Sequence, residues 1–160
     1  MNLPIPKEQF VKFLCDAKRA TYAAQDKKHE VEPVLSGSHQ LEYRSGALLY
    51  RDIYFGGEYF VGKEIVYHKN DPIWGMSYSG GVDEGVNTAL TPGIYDFLAA
   101  ALREVPAHAP YRGPESYHQG DFGYTNRILG VVPRFSGAET ISLKGTPIYQ
   151  LHYSGGFLIA

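Results

Sequence analysis

The chain has 160 residues, 44% hydrophobic and 20% charged, with a formal net charge of −2. These values exclude a disordered chain, which needs low hydrophobicity and high net charge. They also give no positive field to hold phosphate backbones, so direct nucleic-acid binding is not expected. The one cysteine, Cys15, leaves no intramolecular disulfide and no multi-cysteine zinc site.

Met1 to Pro6 carry neither the basic start nor the apolar run of a signal peptide. No apolar stretch approaches the ~20 residues that cross a bilayer. A cytoplasmic location without membrane contact is therefore expected. Residues 7–23 place Phe10, Phe13, Leu14, Ala17 and Thr21 at helical spacing, with Lys12, Asp16 and Arg19 turned outward. This predicts a first helix.

Period-two alternation then predicts strands. Leu48, Tyr50, Asp52 and Tyr54 share one face; Phe60, Gly62, Glu64 and Val66 share another; Trp74, Met76 and Tyr78 follow. Gly56-Gly57 and Asn70-Asp71 supply turn chemistry between them. Residues 81–90 read as a linker. A second helix is predicted over 92–104, from Ile94, Phe97, Leu98, Ala101 and Leu102, with Thr91 as N-cap and Pro92 at the first helical position. Strands follow again, with Phe122, Tyr124, Asn126 and Ile128, then Phe135, Gly137, Glu139 and Ile141, then Tyr149, Leu151 and Tyr153.

The two halves resemble one another. Residues 43–81 align with 117–156 with fourteen identities over 39 positions, allowing one inserted residue. Unrelated segments would share about two or three. The expectation is one α+β globule over 1–160 made by tandem duplication. Each copy would be a helix plus a four-stranded antiparallel meander, 7–81 and 91–160. The copies would be related by a pseudo-two-fold, with their two sheets packed or joined and the helices laid on them.

Carboxylates on apolar strand faces are the first candidates for chemistry, because they must be paired, hydrogen-bonded or raised in pKa. Glu64 and Glu139 hold the same repeat position. They would serve as acid, base or cation anchor, or would only accept structural hydrogen bonds. Asp52 aligns with neutral Asn126, so only one half keeps the charge. If the protein is an enzyme, Asp52 and Glu64 are its expected acid and base.

Tyrosines on inward faces would form an aromatic wall for a flat ligand of mixed polarity, or would simply be good strand residues. The expected ligand-binding set is Tyr50, Tyr54, Trp74, Tyr78, Arg112, Tyr124, Glu139 and Tyr153. Arg112 sits among turn residues, where it would grip an anion bidentately or brace Glu115 or Glu139. The six histidines form no metal-ligand spacing, and the sequence holds no phosphate loop and no nucleophile elbow. Neither a metal nor a cofactor is expected.

Several motifs together resemble the bacterial domain-of-unknown-function family 5680. They are Phe13-Leu14 with Ala17-Lys18 and Thr21-Tyr22-Ala23; Tyr50-x-Asp52-x-Tyr54; Phe60-x-Gly62-x-Glu64; and Pro72-Ile73-Trp74-x-Met76-x-Tyr78-x-Gly80. Pro110 to Pro114, Phe135-x-Gly137-x-Glu139 and Tyr153-x-Gly155-Gly156 complete the set. The resemblance implies no particular reaction. Members of that family can follow a phage-repressor-like helix-turn-helix domain, which implies effector sensing. Residues 1–40 have room for one helix and a polar loop instead, so sensing would need a separate partner or the module would act alone.

Three functions are compatible with this reading. The leading expectation is a small-molecule-binding module with a tyrosine-rich pocket. The alternatives are a cofactor-independent isomerase, lyase or hydrolase using Asp52 and Glu64, and a protein-interaction module. A homodimer is left open.

Overall fold

Short alternating segments closed by tight turns build the chain, and the computed structural model describes residues 3–21, 23 and 28–158 of it. The described elements are α1 (Lys7–Ala20), β1 (Glu30–Val31), β2 (His39–Ser45), β3 (Leu48–Gly56), β4 (Tyr59–His68) and β5 (Asp71–Val82). After a short 3₁₀ turn, Thr88–Leu90, come α2 (Thr91–Arg103), β6 (Ser116–Gln119), β7 (Phe122–Val131), β8 (Arg134–Leu143) and β9 (Thr146–Phe157).

The arrangement of two helix-plus-meander units is overturned. All the described strands belong to one nine-stranded antiparallel sheet, ordered β1-β2-β3-β4-β5-β9-β8-β7-β6, with only two α-helices among the described residues. The reason lies at the β5–β9 seam. There Tyr78 pairs with Tyr153, and the backbones approach so closely that a Cβ on Gly80 would lie 2.2 Å from the Gln150 carbonyl oxygen. One on Gly155 would lie 2.2 Å from the carbonyl oxygen of Gly75. The Ser-Gly-Gly stretches of the repeat are therefore where the strands fuse edge to edge. Fusion removes two sheet edges, which would otherwise expose unpaired backbone groups, and leaves no second sheet to pack on the first.

The expected helices form within a few residues of their predicted bounds. α1 ends at Ala20 rather than 23, and Tyr22 lies outside the described residues. Thr91 is inside α2 instead of capping it, because Asn87 caps the preceding 3₁₀ turn by accepting from the Ala89 N–H. The β4–β5 hairpin turns on Lys69-Asn70, both at positive φ, one residue earlier than expected. That pair of left-handed residues matches the twist of a two-residue hairpin.

Both helices lie on one face of the sheet. Phe10 of α1 packs on Trp74 and on Phe157, with ring centroids 6.2 and 5.6 Å apart. Phe97 of α2 stacks on Phe122 at 5.1 Å. Burial of Phe10, Leu14, Ile94 and Leu102 holds the helices down, each side chain contributing about 1.5–3 kcal/mol. Trp74, Met76, Tyr78, Tyr149, Leu151 and Tyr153 form the centre of the covered face. Polar side chains interrupt this core at four strand positions, Asp52, Glu64, Asn126 and Glu139, all at most 4% exposed.

Candidate functional site

A cavity of about 430 Å³ opens between α2 and the first half of the sheet. His39, Asp52, Tyr54, Phe60 and Tyr78 line it from the strands, and Tyr95, Leu98, Ala99 and Leu102 from α2; Arg112 closes it from the segment before β6. Phe60 is the hub of the aromatic wall. Its ring meets those of Tyr54, Tyr78 and Tyr95 at centroid distances of 6.4, 5.9 and 6.1 Å. His39 stacks on Tyr54 at 5.0 Å. Edge-to-face contacts of this kind favour a fixed ring geometry.

Asp52 is the carboxyl of this cavity. Its Oδ1 accepts a 2.6 Å hydrogen bond from the Tyr78 hydroxyl, and no bond to Oδ2 forms among the described residues. The sequence explains the contact. Tyr78 sits on β5 and Asp52 on β3, so the phenol must cross β4. It crosses at Gly62, where a Cβ would come 2.3 Å from the Tyr78 oxygen. Only glycine leaves that path open. Burial first, and then the charge of Glu64, push the Asp52 pKa up from 3.8 to about 7, against the Tyr78 bond and the charges of Lys18 and Arg112. The Tyr78 hydroxyl is itself driven well above its usual 10 by burial and by Asp52.

Glu64 faces Asp52 across β3 and β4 but does not line the cavity. It is fully buried, and its Oε2 accepts a 2.5 Å bond from Nζ of Lys18, on α1. Its Oε1 has no hydrogen-bond partner among the described residues. Burial lowers the Lys18 pKa, opposed by the charge of Glu64. The ammonium also lies 5.9 Å from the ring centroids of Tyr50 and Trp74.

The other half of the sheet holds a saturated cluster. Glu139 accepts from Arg112 Nη2 at 2.5 Å and Nε at 3.1 Å, from the Tyr124 hydroxyl at 2.7 Å and from the Tyr149 hydroxyl at 2.9 Å. Asn126 Oδ1 accepts from the Tyr153 hydroxyl at 2.8 Å, and Asn126 Nδ2 donates to the Gly113 carbonyl at 2.9 Å. The Tyr153 ring crosses Gly137 as Tyr78 crosses Gly62.

A family model described as "Domain of unknown function (DUF5680)" matches residues 52–158, more than half of the chain. The chain belongs to the DUF5680 family. No curated protein and no solved structure matches it. In this DUF5680 chain the matched span opens on Asp52 and takes in Gly62, Tyr78, Arg112 and Glu139, while Lys18 and His39 precede it.

Of the residues expected from sequence, Asp52, Tyr54, Tyr78 and Arg112 meet at the cavity. Asp52 and Glu64 are direct partners across β3 and β4, yet only Asp52 lines the cavity, and Lys18 holds Glu64. Tyr50 and Trp74 are packed into the core, and Tyr124, Glu139 and Tyr153 belong to the saturated cluster. Two guanidinium nitrogens of Arg112 bind Glu139, so it braces the fold as well as bordering the cavity. His39, Tyr95 and the α2 leucines were not singled out as site residues, and neither was Lys18. A signal existed for Lys18, which lies four residues after Leu14 and eight after Phe10 on the apolar stripe of α1. A cation there needs a buried anion.

No group of three or more His, Cys, Asp or Glu among the described residues is placed to hold a metal ion. No described helix is long and apolar enough to cross a membrane.

Proposed function

We propose that this chain is a small-molecule-binding module whose ligand occupies the cavity between α2 and β2–β5. One observation carries the reading: a buried carboxyl with a single hydrogen bond among the described residues, Asp52, borders a space walled by rings on one side and by Leu98, Ala99 and Leu102 on the other. Ligand pockets have this make-up, a largely apolar wall with a few convergent polar groups that set orientation. The volume of about 430 Å³ suits a compact molecule.

The test is a thermal-shift and calorimetric screen of small metabolites on the wild type and on Ala99→Phe, which fills the space from the helix side. Compounds that raise the melting temperature of the wild type should lose their effect in Ala99→Phe. Hits that bind both proteins equally would place the ligand elsewhere and end the reading.

A second reading is acid–base catalysis by Asp52 alone. Its pKa of about 7 favours it, since a catalytic acid or base works best when its pKa lies near the operating pH. Glu64 drops out of the mechanism because it does not reach the cavity. Product formation by NMR from any compound that binds, lost in Asp52→Asn while binding persists, would establish catalysis over binding.

A further inference from the structure

We propose that the cavity selects an organic cation, an ammonium group held between the Asp52 carboxylate and the faces of Tyr54 and Phe60. The inference rests on the binding reading above and names its ligand class.

The buried charges are balanced without Asp52. Lys18 pairs with Glu64, and Arg112 pairs with Glu139. Asp52 forms no ion pair among the described residues, although it is 2% exposed. Once ionised, it is the surplus negative charge of the interior. Burying an unpaired carboxylate is costly, and the cost falls when a cation is brought to it. At the matching place in the other half the chain has Asn126, neutral, with both amide groups hydrogen-bonded. The charge thus appears where there is a cavity and is absent where the cluster is closed.

The rings supply the second half of the site. Aromatic faces carry negative potential and attract ammonium groups within about 6 Å of the centroid. This interior already shows the preference, with Lys18 Nζ 5.9 Å from both Tyr50 and Trp74. The cations near Asp52, Lys18 and Arg112, act on it through space but are hydrogen-bonded to other carboxylates. From α1, Lys18 is bound to Glu64 of β4; from the segment before β6, Arg112 is bound to Glu139. On β2, His39 stays half exposed at the rim, 3.7 Å from Glu30. Tyr78 on β5 donates to Asp52, and Tyr54 on β3 and Tyr95 on α2 present neutral phenols raised above their usual pKa by burial.

The experiment uses three probes of one shape: benzylamine as cation, benzyl alcohol as neutral isostere and benzoate as anion. Each is titrated into the full chain, wild type and Asp52→Asn, by calorimetry and by backbone-amide NMR at pH 8. Asn126 with its Tyr153 bond shows that an amide accepts the hydroxyl in this geometry, so the variant keeps the Tyr78 contact. Benzylamine should bind wild type at least about tenfold more tightly than benzyl alcohol, and Asp52→Asn should remove that preference. Protonation of Asp52 competes with the cation, so benzylamine affinity for the wild type should fall about tenfold between pH 8 and pH 6. This second measurement needs no variant. Equal binding of amine and alcohol, or a preference that survives Asp52→Asn, overturns the cation while leaving the pocket. If no probe perturbs the amides around Asp52 at about 10 mM, weaker than any useful affinity, the pocket reading falls with it.

Discussion

The Tyr78 hydroxyl reaches Asp52 Oδ1 across an intervening strand, and it does so over Gly62. The contact ties three strands of the sheet together through one polar bond. It also fixes which oxygen of Asp52 is left for the cavity. A methyl at position 62 would occupy the space now held by the phenol, with its Cβ 2.3 Å from the hydroxyl oxygen and 2.4 Å from Cζ.

Gly62→Ala should therefore displace Tyr78 and break its bond to Asp52. Overpacking at a filled site costs about 1–3 kcal/mol, to which a lost charge-assisted bond adds. Urea denaturation measures the loss. Gly93→Ala is the control, because nothing lies within 4 Å of a Cβ there and the residue is helical. Alanine should leave stability unchanged or raise it by up to about 1 kcal/mol. If both substitutions behave alike, the crossing of Tyr78 over Gly62 does not constrain the fold.

The titration of Asp52 sets a sign for the pH dependence of stability. Its folded value of about 7 lies above the usual 3.8, so the fold holds the proton more tightly than the unfolded chain does. That contribution is fully present below pH 4 and is lost as pH rises through 7. The stability of wild type relative to Asp52→Asn should fall with pH across this window, by at most about 1.4 kcal/mol per pH unit. Chemical denaturation at pH 4, 5.5, 7 and 8 gives the curve. A flat difference would mean that Asp52 is already ionised in the fold at low pH.

Much of this site was legible in the alternation of the strands. Asp52, Glu64, Asn126 and Glu139 stand out because each interrupts an apolar face, and all four are buried. The repeat aligned Asp52 with Asn126, and the structure gives each a phenol donor, Tyr78 and Tyr153. The different surroundings of Asp52 and Glu64 were not legible. The structure pairs them directly across β3 and β4, but the space beside each depends on what covers the sheet. Lys18 fills the side toward α1, whereas α2 stands off far enough to leave the cavity. The single sheet was hidden for a similar reason. Strand pairing within a hairpin is local, while the β5–β9 seam joins residues about 75 positions apart and has no mark in periodicity. Its trace was the glycine pairs, which read as turn or motif residues rather than as a close backbone approach.

The Lys18–Glu64 pair predicts an asymmetric mutational response. Removing one partner strands the other charge in the core, so Lys18→Met should cost about 3–5 kcal/mol. Among the described residues Glu64 would be left with neither oxygen bonded, since Oε1 has no partner there. The double variant Lys18→Met with Glu64→Leu should recover most of the loss, because apolar residues of similar volume replace both charges. A double-mutant cycle by guanidinium denaturation measures the coupling. Additive losses would show that the two side chains do not depend on each other.

Arg112 belongs to both polar systems, and its substitution should separate them. Lysine keeps the charge but cannot make the two parallel bonds to Glu139. Each bond to a charged group contributes about 1.5–3 kcal/mol, so Arg112→Lys should lose at least one bond of that size. The damage should spread along a defined chain. Glu139 accepts from Tyr124, whose hydroxyl oxygen accepts the Gly113 N–H at 3.0 Å, and the Gly113 carbonyl accepts from Asn126. Loosening Glu139 thus reaches the backbone that carries residue 112 to the cavity. Hydrogen exchange at the Gly113 amide should quicken in Arg112→Lys beyond what the global loss of stability explains, while the Tyr78–Asp52 contact, built on other strands, stays intact. Uniform quickening across the sheet would instead mark Arg112 as a general brace, with no local hold on the cavity wall.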